Sequence, residues 1–67
     1  MAVVKVIEVL AESADGWDAA AQEAVDQVSK SVDHLRTVYA KDFQAVVEND
    51  KIITYRVNAK VSFLVNE

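Results

Sequence analysis

The chain has no cysteine, no proline, one glycine and one histidine in 67 residues. Without cysteine it forms neither disulfides nor thiolate zinc sites. A single imidazole, His34, cannot build a histidine metal cluster. With no proline and only Gly16, no flexible linker breaks the chain, and no repeat or low-complexity tract is visible. Residues 1–67 therefore read as a single domain. Long apolar runs are also missing, and nothing approaches the ~20 residues that a membrane-spanning helix needs. Positive charge is scarce: seven Lys and Arg face eleven Asp and Glu, a net charge of −4. That balance argues against nucleic acid as a partner, because its binding needs clustered cations. The opening MAVVKVIEVL lacks the basic, apolar and small-residue order of a signal peptide, so it reads as a strand in a protein expected in the cytoplasm.

A domain this short buries only about 60% of its unfolded surface and is marginal on its own. Disulfides, metals and oligomerisation are the usual remedies. With the first excluded and the second unsupported, association with further copies is expected.

Four segments follow in order. Val3 to Leu10, VVKVIEVL, is β-rich, and Lys5 and Glu8 fall on opposite faces. AESADGWD reads as a helix start, with Ser13 and Asp15 as alternative N-caps. From Trp17 the apolar positions Ala20, Ala21, Ala24, Val25, Val28, Val32 and Leu35 keep helical spacing over about five turns. Alanine in that stripe allows close approach to a sheet. Thr37 to Val47 suits a second strand, with Thr37, Tyr39, Lys41, Phe43, Ala45 and Val47 on alternate positions. Asn49 and Asp50 tolerate the positive φ of a tight turn and mark a hairpin. Then KIITYRVNAKVSFLVNE places Ile53, Tyr55, Val57, Ala59, Val61, Phe63 and Val65 at every second position, a half-buried strand.

The fold class is α+β, in the order β-α-β-β. A crossover helix makes the first two strands parallel, and the hairpin returns the third antiparallel to the second. Placing the last strand in the middle gives an antiparallel three-stranded sheet of order 1-3-2 packed on one long helix. Fifteen extended residues span roughly 50 Å. A compact 67-residue globule has a radius of gyration of about 11 Å, hence a diameter near 28 Å. The last strand thus outgrows a single globule and is expected to be sheltered by neighbouring copies.

The stretches VIEVLAES, GWDAAAQEAVDQV, SVDHLR and TYRVNAKVSF, in this order, resemble the dodecins over nearly the whole chain. The helix and closing strand look nearest to the flavin-poor branch that includes calcium dodecin. The resemblance implies a hollow, cage-like homo-dodecamer with ligand pockets between subunits, and a storage role without turnover. In flavin-binding dodecins a tryptophan after the helix stacks on the ring, and a glutamine in the last strand hydrogen-bonds it. At those places this sequence has Thr37 and Arg56. Loss of the aromatic sandwich removes about 0.5–1.5 kcal/mol per ring pair beyond area burial. The implied small-molecule ligand is a flavin, FMN or riboflavin, at reduced affinity. The alternative is a calcium-binding or purely structural dodecamer.

Among individual residues, Arg36 and Arg56 could grip a phosphate or other anion through their guanidinium forks, or simply form salt bridges. Thr37 is a candidate by position alone, and Tyr39 and Gln44 are ordinary strand residues within reach of a pocket. Trp17 lies on the apolar stripe, where core packing is expected. Asp15, Asp18, Glu23 and Asp26 crowd the helix start, yet no EF-hand pattern accompanies them. A calcium site assembled from acids around a symmetry axis would leave no signature in one chain. His34 beside Asp33 has no nucleophile to activate, and Ser29, Ser31 and Ser62 stand in no recognised context. Enzymatic chemistry is therefore not expected.

Overall fold

The computed structural model describes residues 3–65. Its elements are β1 (Val3–Ser13), α1 (Trp17–Ser29), β2 (Leu35–Glu48) and β3 (Lys51–Val65). They form one sheet of order β1-β3-β2, with β3 antiparallel to both neighbours. The expected β-α-β-β order and central last strand are therefore present. β3 runs its full fifteen residues, and the molecule measures 51 × 20 × 13 Å. Its length is the strand's own: nothing bends β3 back onto the globule.

Period-two alternation on β3 sorts the sheet into two faces. Val57, Ala59 and Val61 are fully buried on one face, beneath Ala20, Ala24 and Val28 of the helix. These three helical residues are spaced by four, so they form a single row along α1. Small side chains bring helix and sheet close, and Ile7, Val9, Val32, Leu35 and Ala40 close the margins. Among the described residues the buried set contains nothing larger than valine.

The helix departs from expectation at both ends. Neither Ser13 nor Asp15 caps it; Gly16 is the N-cap residue, without a side-chain hydrogen bond. Its φ of 136° lies where only glycine is comfortable. The Ser13 hydroxyl instead accepts the Asp15 N–H at 3.0 Å, shaping the turn before the helix. At the far end α1 stops at Ser29, well short of Leu35. The Ser29 hydroxyl donates to the Asp26 carbonyl at 2.8 Å, and the Lys30 and Ser31 N–H groups bond three residues back. Such tightened bonds end the helix. His34, with φ 63°, then reverses the chain into β2, and its carbonyl accepts the Leu64 N–H at 3.0 Å. Val32 and Leu35 still pack on the core, but from the connector and the strand.

β2 is broken by a bulge. Lys41 pairs with Asn58 and Gln44 with Arg56, so β2 uses three residues where β3 uses two. Asp42 carries the bulge at φ 55°. The bulge shifts the alternation: Thr37, Tyr39 and Lys41 share one face with Gln44 and Val46, while Ala45 lies opposite Tyr55. The hairpin turns at Asn49 and Asp50, both at positive φ, as expected from their residue types. β1 reaches only as far as Tyr55 along β3. Beyond it, the β2–β3 hairpin continues as a two-stranded arm with Val47, Ile52 and Ile53 exposed.

Candidate ligand-binding face of the sheet

The face of the sheet away from the helix is assembled from even-numbered β3 residues and their cross-strand partners. Successive rows are Val6–Ser62–Thr37, Glu8–Lys60–Tyr39, Leu10–Asn58–Lys41 and Glu12–Arg56–Gln44. Cross-strand partners lie about 4.5–5.5 Å apart, so each row is a local contact set. In the lowest row the Arg56 Nε–H donates to Glu12 Oε2 at 2.7 Å. The two side chains remain 35% and 45% exposed, so the pair contributes at most about 1 kcal/mol. It nonetheless commits the Arg56 guanidinium to a carboxylate of the same chain. A looser pair joins Lys41 Nζ to Glu8 Oε2 at 3.9 Å.

Thr37 hydrogen-bonds Ser62 across the strands, hydroxyl to hydroxyl. Arg36 sits in a register shift between Leu35 and Thr37 and is exposed. With Val25, Leu35, Thr37, Val38 and Val61, Arg36 lines a small hollow of about 210 Å³ beside the β2 edge. Arg56 lies six β3 residues from the Thr37 row, roughly 20 Å along the strand. Within one chain, therefore, Arg36 and Thr37 share a hollow and Arg56 does not reach it.

A larger hollow, about 520 Å³, opens at the β2 bulge and is lined by Leu10, Asp42, Phe43, Gln44 and Asn58. Of these, the sequence placed only Gln44 within reach of a pocket, and as an ordinary strand residue. Asn58 is one of these lining residues, and its Oδ1, shielded from solvent, has no hydrogen-bond partner. The bulge could be suspected only from Lys41 interrupting the apolar alternation of β2, and nothing in the sequence singles out Asn58.

Trp17 does not join the core. It is 40% exposed, stacked on Phe43 at 5.9 Å between centroids and edge-on to Tyr55 at 5.0 Å. Its indole N–H donates to the Gln44 carbonyl at 2.8 Å. The first residue of α1 thus clamps the bulged strand beside the larger hollow. Its amphipathic ring suits that half-exposed place better than the alanine-lined interior.

The helical acids are occupied locally. Asp18 accepts the Ala19 N–H at 3.0 Å, Asp26 accepts from the Gln22 amide and Glu23 from the Gln27 amide. Among the described residues no group of three or more His, Asp or Glu side chains is placed to hold a metal ion. His34 and Asp33 line a separate hollow with Lys5, Val32 and the end of β3. No helix among the described residues is long and apolar enough to cross a membrane.

Residues 3–66 match the family model described as Dodecin. Calcium dodecin from Mycobacterium tuberculosis is 38% identical over 63 residues, covering 94% of this chain and 89% of that protein. Its crystal structure, described as having a novel calcium-binding site, aligns at TM-score 0.81 and 36% identity over 96% of this chain and 91% of that one. A point mutant of Thermus thermophilus dodecin aligns at TM-score 0.92 and 27% identity over the whole of both chains. Streptomyces coelicolor dodecin aligns at TM-score 0.91 and 26% identity, covering 98% and 94%. Sequence likeness is thus higher to the calcium protein and backbone likeness higher to the others. Fold, element order and sequence agree: this chain belongs to the dodecin family.

Proposed function

We propose that the protein is a non-enzymatic homo-dodecameric shell that sequesters a small flat ligand on the helix-free face of its sheet, at pockets completed by neighbouring copies. The observation that carries this reading is the bare sheet face. Val6, Leu10 and Tyr39 stand exposed there around paired charges, in a family of oligomeric shell proteins. Arg36 and Thr37 at one end and Arg56 at the other would meet across a junction between copies, which closes the 20 Å gap. The ligand is a flavin, FMN or riboflavin, held weakly because Thr37 offers no ring to stack on and Arg56 is engaged by Glu12. Titration of the assembled protein with riboflavin, followed by quenching of flavin fluorescence, tests this. Wild type is expected to quench weakly; Thr37→Trp should bind about tenfold tighter, from one added stack plus buried ring area. Arg56→Gln should change affinity less. Absence of quenching in all three proteins would remove the flavin.

A second reading, calcium binding between subunits, is favoured by the 38% identity to calcium dodecin. Calcium takes six to eight oxygen ligands, which here would come from acids of several copies. Removal of calcium with a chelator is then expected to lower the melting temperature or the sedimenting mass. Neither changing would exclude a structural calcium site.

A further inference from the structure

We draw no further inference here: the strongest candidate, the apolar surface of the two-stranded β2–β3 arm beyond the end of β1, where Val47, Ile52 and Ile53 stand exposed, carries nothing, because nothing in the structure shows what covers it.

Discussion

Val61→Asp is expected to unfold the chain at neutral pH. Val61 is fully buried at the middle of β3, between Ile7 of β1 and Val38 of β2. No cation lies among the buried residues of this core. A carboxyl placed there must stay neutral, its pKa pushed up by burial. Holding protonated at pH 7 a group that titrates near 3.9 when unfolded costs about 4 kcal/mol. A 67-residue domain has roughly 3–10 kcal/mol of total stability. Because the folded-state pKa is the higher one, the penalty is present above the unfolded value and shrinks as pH falls toward about 4. Thermal unfolding followed by circular dichroism should show Tm lowered by at least about 15 °C, or no transition, at pH 7, with partial recovery near pH 4. A wild-type Tm at neutral pH would mean that Val61 is not in a dry core.

The second large effect falls on assembly. Leu10→Glu should disperse the oligomer without altering the contacts of the single chain's own core, so that any loss of stability follows from the lost subunit contacts. Leu10 is 57% exposed in the isolated chain, on the face away from the helix. A polar replacement at such a position usually changes stability by no more than about 0.5 kcal/mol. In β1 it would complete a row of three carboxylates, Glu8, residue 10 and Glu12, on one face. In an interface closed over that row, three like charges would be desolvated together, against a partner surface of the same sequence. Analytical ultracentrifugation of Leu10→Glu is expected to show monomers or small species where wild type sediments as a large assembly. Adding Val6→Glu should strengthen the effect, since Val6 lies on the same face and is equally bare. An unchanged sedimenting mass for the double variant would place this face outside every subunit contact.

Much of this architecture was legible in the sequence, and the exceptions share a cause. β3 could be read because period-two alternation continues over most of a strand whose two faces meet different surroundings. The order 1-3-2 followed from the crossover and the hairpin. The end of the helix could not be read, because Val32 and Leu35 continue its spacing although the chain has already left it. Core-facing residues keep that spacing whichever element carries them. Two local competitions were also hidden: Ser13 bonds its own turn and leaves the cap to Gly16, and Trp17 spends its indole N–H on the bulged strand. Thr37 and Arg56 are ligand positions by the resemblance alone, while the Arg56–Glu12 pair and the hollow at the bulge depend on register and on a displaced residue. A single displaced residue at Asp42 decides which side chains become neighbours, and composition does not encode that shift.

The interior built from alanine and valine has a consequence for how this protein behaves when its concentration changes. Among the described residues only seven, none larger than valine, are sealed from water, so in an assembled shell most of the favourable burial would come from surfaces that different chains present to one another. Mass action then enters the folding equilibrium directly. Dilution works on such a protein as urea works on others: halving the number of chains per volume loosens every one of them.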